Sequence, residues 1–384
     1  MKRLAIITTH PVQYYAPFFK ALSMQQGIQV KVYYTWGDAS VKKFDPGFGR
    51  EVEWDIPLLD GYDYQFLKNV ASNPGSSHFK GIINPEAVKE LQQFAPHALL
   101  VFGWAWHSHL RLIRFFHKRI KVWFRGDSTL LDGGVGVKAA LRYLFLHWVY
   151  RHIDKAFYVG AANKLYFQKF GITQDRLKFA PHAIDIARFS ADRNAEAETM
   201  RLRLGIKEEE ILVLFAGKFE TKKRPDILLE AFLKINIPGL HLLFTGNGRL
   251  EQQLKQKAGQ SEVVHFMPFQ NQSSLPVVYQ ACDLFCLPSS GPGETWGLAV
   301  NEAMASGKAV LVSNKVGCAA DLVQEGANGH VFEAGNVEDL KNKLSSMVSE
   351  KRRLQVMGRH SAGIIKNWSF EQQVRAVVEE LEKL

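Results

Sequence analysis

The 384 residues of this chain are enough for two or three domains, and 46% of them are hydrophobic, which suffices for substantial cores. No apolar run approaches the ~20 residues that span a bilayer, and residues 1–10 predict a first strand instead of a signal peptide. The cysteines, Cys282, Cys286 and Cys318, lack metal-site spacing and predict buried thiols in a reducing compartment, so we expect a cytoplasmic protein.

The positive charge is concentrated in one segment. The whole chain has a formal net charge of +10. Residues 101–178 contain 14 Lys and Arg residues against four acidic residues, a difference of +10, so the rest of the chain is neutral on balance. A localised basic field attracts anions, which could be substrate phosphates, anionic lipid or nucleic acid.

In the first half of the chain, strand-like apolar runs alternate with helical patterns. This alternation predicts a mainly parallel sheet covered by helices. The predicted strands are residues 3–8, 30–35, 64–67, 98–103, 121–124, 156–160 and 177–181. The predicted helices are residues 16–26, 85–94, 107–117, 138–152 and 161–170.

A second alternating series follows a polar, charged stretch, residues 185–199. Because this stretch lacks a sustained apolar period, we place the inter-domain linker at its start. The tail, residues 371–384, carries a helical apolar stripe that needs a surface to cover. The predicted strands of this half are residues 211–216, 241–245, 263–267, 284–287, 309–313 and 330–333.

A glycine-rich turn between two of these strands is the main candidate for a site. It leads from a strand into a helix that begins near Leu298, at the edge where α/β sheets hold ligands. Glycines let the backbone approach a ligand, and the first N–H groups of a helix favour an anion, so the turn predicts a phosphate site. The turn reads Gly291-Pro292-Gly293-Glu294-Thr295-Trp296-Gly297-Leu298.

Two glutamates mark this region. Glu294 and Glu302 lie eight positions apart, which along a helix is ~12 Å, whereas the paired carboxylates of a retaining glycosidase lie roughly 5 Å apart. We therefore expect them to hold two different parts of one extended ligand. The plainer alternative is an ordinary strand-turn-helix with two solvated glutamates.

The stretch resembles the acidic signature of family 4 (group 1) retaining glycosyltransferases of GT-B fold, in which two glutamates flank seven residues. The resemblance implies that Glu294 contacts the donor sugar and that Glu302 holds the ribose hydroxyls of the nucleotide. It also implies that backbone amides around Gly297 and Leu298 take the diphosphate. The remaining residues that it assigns to the donor in this turn are Gly293, Thr295 and Trp296.

The loop of residues 217–225 follows the strand 211–216 and opens a helix, where cations can clamp a diphosphate. It resembles the family's Gly-Arg…Lys-Gly loop, which implies that Gly217 lies at the donor and that Lys218 and Lys223 bind its phosphates. Lys218 stands where the family has Arg, which gives up bidentate geometry, and Arg224 stands where Gly is usual. A solvated basic turn is the alternative.

Two more turns are similar to family loops near the donor. Gly246 and Asn247 follow the strand 241–245, although a plain turn explains them equally well. Phe269 follows the next strand, where family members hold the base through backbone contacts.

The first half carries the candidate acceptor residues. His10, Gln13 and Tyr14 follow the first strand, at the end that faces the cleft in such sheets, and a capped helix start is the alternative. Arg125 stands where many family members have a His. It could stabilise the departing phosphate while Asp127 orients an acceptor hydroxyl, and a buried Arg–Asp pair is the alternative.

The resemblance implies a GT-B fold of two facing Rossmann-like domains. The acceptor domain would cover residues 1–185, the nucleotide-sugar domain residues 186–366, and a C-terminal helix, residues 367–384, would cross back to the first domain. Five histidines, His107, His109, His117, His147 and His152, lack carboxylate or cysteine partners at ligand spacing and predict no metal site.

The implied activity is that of a retaining hexosyltransferase (EC 2.4). It would move a sugar from a UDP- or GDP-linked donor to a saccharide or lipid-linked acceptor, in cell-surface polysaccharide or glycolipid assembly. We expect no cofactor or metal, because Lys218, Lys223 and a helix dipole supply the positive charge. The alternatives are a phosphorylase, synthase or epimerase of the same fold and a non-catalytic nucleic-acid binder. A nucleic-acid binder would not need the glycine-rich turn, so we expect no nucleic-acid partner.

The basic segment also contains aromatic residues, most densely in residues 138–152. Lys and Arg gain ~1 kcal/mol each near an anionic surface, and exposed aromatic rings can lie at the headgroup level. This predicts an anionic membrane as a further partner and a peripheral location on its inner face. The alternative is a buried helix whose few charges reach the rim, because the charges do not gather on one polar face.

Overall fold

The computed structural model of the protein describes residues 1–38, 43–45, 47 and 49–384. These residues divide into two compact units. The first unit comprises Met1–Lys43, Ile56–His182 and Phe370–Leu384, and the second comprises Phe44–Asp55 and Ala183–Ser369. The sequence analysis placed residues 1–185 in the first domain, whereas Phe44–Asp55 belongs to the second unit.

The first unit is built on a seven-stranded sheet. Its strands are β1 (Lys2–Thr8), β2 (Ile28–Tyr34), β5 (Asp63–Phe66), β6 (Ala98–Phe102), β7 (Lys121–Arg125), β8 (Lys155–Tyr158) and β9 (Leu177–Phe179). Its helices are α1 (Ala16–Ser23), α2 (Ala87–Phe94), α3 (His107–Phe116), α4 (Val137–Tyr150), α5 (Ala161–Lys169) and the C-terminal α15 (Phe370–Glu382). Two short strands, β3 (Lys43–Asp45) and β4 (Arg50–Val52), pair separately.

The strand order of this sheet is β5-β2-β1-β6-β7-β8-β9, and the strand pairs are parallel. In register, Leu4 of β1 lies opposite Val30 of β2 and Ala98 of β6. Successive side chains of β1 enter opposite cores, because a strand alternates its faces. Ile7 joins the core under α2 to α5, and Ile6 joins the core under α1 and α15.

The C-terminal helix α15 belongs to the first unit, as the GT-B resemblance predicted. Val374, Val377 and Leu381, three residues of the predicted apolar stripe, are buried in the core that also contains Phe18 and Phe19 of α1. Lys178 of β9 forms an ion pair with Glu379 of α15 at 2.5 Å. The stripe therefore covers the face of the sheet on which α1 lies.

The second unit carries a six-stranded parallel sheet in the order β12-β11-β10-β13-β14-β15. Its strands are β10 (Ile211–Ala216), β11 (Leu240–Thr245), β12 (Val264–Met267), β13 (Leu284–Leu287), β14 (Ala309–Ser313) and β15 (Gly329–Phe332). Its longer helices are α7 (Asn194–Arg203), α8 (Pro225–Leu233), α9 (Glu251–Ala258), α10 (Leu275–Ala281), α11 (Leu298–Ala305), α13 (Val337–Met347) and α14 (Lys351–Ile365), and its shorter ones are α6 (Ile186–Ser190) and α12 (Ala319–Leu322).

The polar stretch at whose start the inter-domain linker was predicted is largely helical. Residues 185–199 contain α6 and the first part of α7. Each helix buries a single residue, Phe189 in α6 and Ala197 in α7. One buried residue per helix leaves no sustained apolar period in the sequence, and this is why the pattern did not indicate these two helices.

Candidate functional site

The main candidate site lies at the carboxyl edge of the second sheet. The chain runs from β10 outward to β12 and then returns to place β13 on the other side of β10. Ligands of such sheets bind outside the carboxyl ends of the strands at this reversal of order. The loops after β10 and β13 are joined there, since the N–H of Ser290 donates to the carbonyl of Lys222 at 2.9 Å.

An ion pair links these two loops. Lys223 Nζ lies 2.5 Å from Glu294 Oε2, and both side chains are largely buried. The hydroxyl of Ser289 donates to the same carboxylate oxygen at 2.9 Å. Two residues predicted separately, one as a phosphate ligand and one as a sugar ligand, are thus adjacent, and Ser289 was not predicted.

The turn that carries Glu294 is held by a second segment of backbone. The N–H groups of Gly317 and Cys318 donate to the carbonyls of Glu294 and Trp296, at 3.1 and 2.9 Å. A Cβ at Gly317 would lie 1.8 Å from the carbonyl oxygen of Thr295, so only glycine fits this close approach.

The turn enters α11 through Gly297. Its φ of +99° is left-handed, and a Cβ would lie 2.8 Å from Val316. The next residue, Leu298, is the first of α11, and the first N–H groups of a helix have no acceptor within the helix. The turn therefore leads from Glu294 into a helix N-terminus within four residues. Gly293 also has a left-handed φ, of +93°.

The side chain of Trp296 points into the protein. It is 3% exposed, and its Nε1 donates to Asn301 Oδ1 at 2.9 Å. This leaves backbone contact as the way in which Trp296 could take part in donor binding.

Glu302 lies on α11, inside the second unit. The hydroxyl of Tyr279 on α10 donates to Glu302 Oε2 at 2.9 Å, and the residue is 2% exposed. Glu294 is 7% exposed. The alternative of two solvated glutamates is therefore wrong, and Tyr279 is a partner that no sequence pattern indicated.

Asn247 joins three loops at the same sheet edge. Its carbonyl accepts from the N–H of Phe219, and its Oδ1 accepts from the N–H of Phe269, both at 2.9 Å. Its Nδ2 donates to Glu251 at 3.0 Å. Asn247 thus fixes the backbone of Phe269, the residue predicted to lie at the nucleotide base.

Glycines allow the loops after β10 and β11 to touch. A Cβ at Gly246 would lie 2.0 Å from the carbonyl oxygen of Gly217. Gly246 has a φ of +138° and Gly217 a φ of +153°, so both positions favour glycine. The glycines predicted to approach the donor also approach each other.

Two further cationic residues of the loop after β10 are Lys218 and Arg224. Lys218 is half-buried, and its Cδ would lie 2.5 Å from a Cβ at Gly47. Arg224 has a left-handed φ of +53° and binds Asp226 through its guanidinium at 3.0 Å. This conformation explains physically why glycine suits that position.

In the first sheet, the order reverses between β1 and β6. His10, Gln13 and Tyr14 lie in the connection between β1 and α1, and each is half-buried. The His10 Nδ1 is 2.8 Å from the hydroxyl of Thr9, and its ring stands edge-on to Trp36. The predicted acceptor residues therefore follow the carboxyl end of β1.

Arg125 has a structural role that the sequence did not indicate. Its Nη1 and Nη2 donate to the carbonyls of Ala180 and Pro181, at 2.8 and 2.9 Å. Burial lowers the pKa of this guanidinium to about 10, although Tyr15 and Asp127 oppose the shift. Both terminal nitrogens hold the chain that follows β9, and a contact with a departing phosphate stays a prediction.

Asp127 lies near two further side chains of the first unit. Its Oδ2 is 3.8 Å from His182 Nε2. Burial lowers the pKa of His182, and a hydrogen bond with Asp127 opposes this shift. Burial and the charge of Asp127 raise the pKa of Tyr15 to about 12. His182 and Tyr15 are residues of this cluster that the sequence analysis did not select.

A sequence model of the family described as "Glycosyl transferases group 1" matches residues 196–362. This segment is similar to group 1 glycosyl transferases. The match confirms the predicted resemblance, and the matched segment contains Lys223, Asn247, Glu294 and Glu302.

A curated relative is the D-inositol 3-phosphate glycosyltransferase of Nocardia farcinica, which is 32% identical over 210 residues, or 50% of this chain and 45% of the relative. The chain spans about half the length of the curated relatives it matches.

Solved structures match over the whole chain. Anabaena HepE in complex with UDP and glucose has a TM-score of 0.73 at 17% identity, with 100% of both chains covered. WaaG, a glycosyltransferase involved in lipopolysaccharide biosynthesis, has a TM-score of 0.69 at 16% identity and covers 98% of this chain and 99% of its own. These similarities confirm the predicted GT-B fold.

Among the described residues, no three His, Cys, Asp or Glu side chains are grouped as a metal site requires, and the expected independence from metal stays a prediction. None of the helices in the described part of the chain is long and apolar enough to cross a bilayer.

Proposed function

We propose that the chain is a retaining glycosyltransferase that binds a nucleoside diphosphate sugar in its second unit. The observation that carries this proposal is the Lys223–Glu294 pair at 2.5 Å, in loops that meet where the order of the second sheet reverses. A cation, a carboxylate and a helix N-terminus at this edge suit a ligand with an anionic part and a hydroxyl-rich part.

Each group in the turn has a role in this proposal. Lys223 and the first N–H groups of α11 would stabilise the negative charge that develops on the departing diphosphate. Glu294 would accept hydrogen bonds from sugar hydroxyls, and Glu302 would do so from the ribose. The chemistry depends on charge stabilisation and positioning and requires no resident metal.

The acceptor would bind to the first unit, at the connection after β1 and at Asp127. Asp127 is half-buried, and its His182 neighbour is positioned to orient its carboxylate. We propose a saccharide or lipid-linked acceptor in the assembly of a cell-surface polysaccharide or glycolipid. WaaG, which has a similar fold, is involved in lipopolysaccharide biosynthesis, and this supports the proposal.

A thermal-shift screen of UDP-, GDP- and ADP-linked sugars tests the donor proposal, because a ligand that binds the folded state raises the melting temperature. We expect one base series to raise it, with the diphosphate more effective than the nucleoside. A chain that no nucleotide sugar stabilises, while nucleic acid does so in a salt-dependent way, would contradict the proposal.

We also propose that the first unit docks on an anionic membrane through α4. The first two turns of α4 expose large apolar side chains, with Val137 77%, Leu141 62% and Leu144 65% exposed. These positions share one helix face, because residues three and four apart lie above one another. The alternative of a buried helix fits only its last turn, where Leu146, Val149 and Tyr150 are buried.

The charges around this face favour an anionic bilayer over a neutral partner. Lys138 and Arg142 are exposed on the same turns, and the segment 101–178 holds 14 Lys and Arg residues against four acidic residues. Apolar side chains can enter the headgroup boundary while the cations bind lipid phosphates.

Sedimentation with vesicles of increasing phosphatidylglycerol content tests the docking. We expect bound protein to increase with anionic lipid and to decrease with salt. Leu141→Ser with Leu144→Ser should reduce binding, whereas Leu202→Ser should not, because Leu202 is an exposed leucine of the second unit. No binding to strongly anionic vesicles at low salt would contradict the docking and would point to a soluble acceptor.

A further inference from the structure

A cavity lies beside α3 in the first unit. Its volume is about 470 Å³, and its walls come from α3, the turn at Phe79 and the end of α4 near His152. This volume is within the range of small-molecule sites. The proposed transfer reaction uses none of the residues that line it.

The polar side chains of this cavity are cationic or imidazole groups. Arg111 and Arg114 line it together with His107, His117 and His152. Among the described residues, none that lines the cavity carries a carboxylate. Arg111 donates a long hydrogen bond, of 3.3 Å, to the carbonyl of Pro85, and the guanidinium of Arg114 lies 5.3 Å from the centre of the Trp148 ring.

Two of the imidazoles each have a buried nitrogen with no hydrogen-bond partner among the residues that the structure describes. These atoms are Nδ1 of His107 and Nδ1 of His117. A buried polar atom that loses water without gaining a partner is destabilising. The ring of the third imidazole is held in place, because His152 Nδ1 donates a hydrogen bond to the carbonyl of Trp148 at 2.8 Å. This bond uses Nδ1, so Nε2 is the nitrogen of His152 that could contact a ligand.

We propose that this cavity binds a phosphate ester. Two guanidinium groups and three imidazoles can supply more hydrogen-bond donors than a carboxylate ligand could accept. A phosphate has more acceptor oxygens, and the paired N–H groups of a guanidinium match their geometry. Apolar walls from Phe79, Leu110 and Phe115 suit an organic group attached to the phosphate. The ester could be a soluble metabolite phosphate or a phospholipid headgroup, since both present the same anion.

The binding test uses the full chain with glycerol 3-phosphate as the soluble probe and phosphatidylglycerol vesicles as the lipid probe. Calorimetry gives the affinity for the soluble probe, and long-range ¹H–¹⁵N spectra of the imidazoles report where either probe binds. We expect the ring resonances of His117 and His152 to shift with at least one probe. The soluble probe acting alone identifies a metabolite, and the vesicles acting alone identify a headgroup.

Arg114→Gln should weaken binding of the effective probe by about tenfold, because one charge-assisted interaction is lost. Lys169→Gln removes an exposed cation of α5 in the same unit, outside the cavity, and should leave the affinity unchanged. The spectra of the unaltered protein remain decisive if Arg114→Gln fails to fold. The proposal is overturned if neither probe shifts an imidazole resonance, or if both variants weaken binding equally.

Discussion

Lys223 Nζ and Glu294 Oε2 lie 2.5 Å apart and join the loops that follow β10 and β13. Both residues also have proposed ligands, the diphosphate for Lys223 and the donor sugar for Glu294. The pair therefore pre-positions a cation and an acceptor before the donor arrives, and either member can be altered separately.

Lys223→Ala should weaken a nucleoside diphosphate by about tenfold or more and leave the affinity for the bare nucleoside almost unchanged, because a charge-assisted contact to the phosphates is lost. Lys218→Ala should act in the same direction. Lys222→Ala is the matched control, because its side chain pairs with Glu220 at 3.4 Å. Calorimetry with both ligands measures the difference, and an equal loss for nucleoside and diphosphate would exclude a phosphate role.

Glu294→Gln should reduce turnover much more than affinity for the nucleoside diphosphate. The substitution removes the charge that pairs with Lys223 and leaves intact the ribose contact proposed for Glu302. Steady-state kinetics and calorimetry on the same preparation separate the two effects. Glu338→Gln, at an exposed glutamate of α13, serves as the control. Turnover and diphosphate affinity that fall in the same proportion would contradict a contact with the sugar.

Glu302→Ala should weaken nucleotide binding by ~1.5 to 3 kcal/mol, the range for a hydrogen bond to a charged group. Tyr279→Phe removes only the hydroxyl that donates to Glu302 Oε2 at 2.9 Å. We expect Tyr279→Phe to have the smaller effect, because the carboxylate remains. Full nucleotide affinity in a folded Glu302→Ala variant would show that the residue acts only within the protein.

Gly317→Ala should disrupt the turn before α11, because its Cβ would lie 1.8 Å from the carbonyl oxygen of Thr295. We expect loss of nucleotide binding although Gly317 has no proposed contact with the donor. In Gly363→Ala the Cβ meets nothing within 4 Å, and a helical Ala is favoured over Gly by up to about 1 kcal/mol. The melting temperature and the nucleotide affinity are measured for both variants. If Gly317→Ala and Gly363→Ala have the same nucleotide affinity, the proposed role of Gly317 in holding the turn is contradicted.

The buried side chain of His109 should make the protein less stable in acid. Burial lowers the pKa of His109 from 6.5 to about 4, although carbonyls of Gly103 and Phe102 oppose the shift. The unfolded chain therefore binds the proton first, so the free energy of unfolding falls as the pH drops from 6.5 to about 4. The contribution is about 3 kcal/mol.

Urea unfolding between pH 8 and pH 4 measures this dependence. His109→Gln should lower stability at pH 8, because the ring hydrogen bonds with Thr35 and Gly103 are altered. It should also flatten the slope, since the titrating group is gone. A variant with the slope of the unaltered protein would show that other groups cause the acid sensitivity.

The sequence allowed prediction of the two sheets and of the loops that carry the main candidate site. Strands such as β10 are buried over their whole length and read as continuous apolar runs. The loops at the carboxyl ends contain the glycines that close backbone approach requires, as at Gly246. Both signals are local in sequence, and this is why they could be read without the structure.

The parts that escaped prediction depend on distant residues. Arg125 donates hydrogen bonds to the carbonyls of Ala180 and Pro181, which lie more than 50 residues away in the sequence. No local sequence pattern indicates these bonds. Tyr279 meets Glu302 through the packing of α10 and α11. The exposure of Leu141 and Leu144 is also a tertiary fact, because the same apolar helix would be buried if another element covered it.

The anomeric configuration of the product tests the central claim most directly. The full chain is incubated with the donor from the thermal-shift screen, an acceptor and a metal chelator, and the anomeric proton is followed by ¹H NMR. We predict release of the nucleoside diphosphate and a product with the configuration of the donor. An inverted product, or no turnover of a donor that binds, would contradict the account.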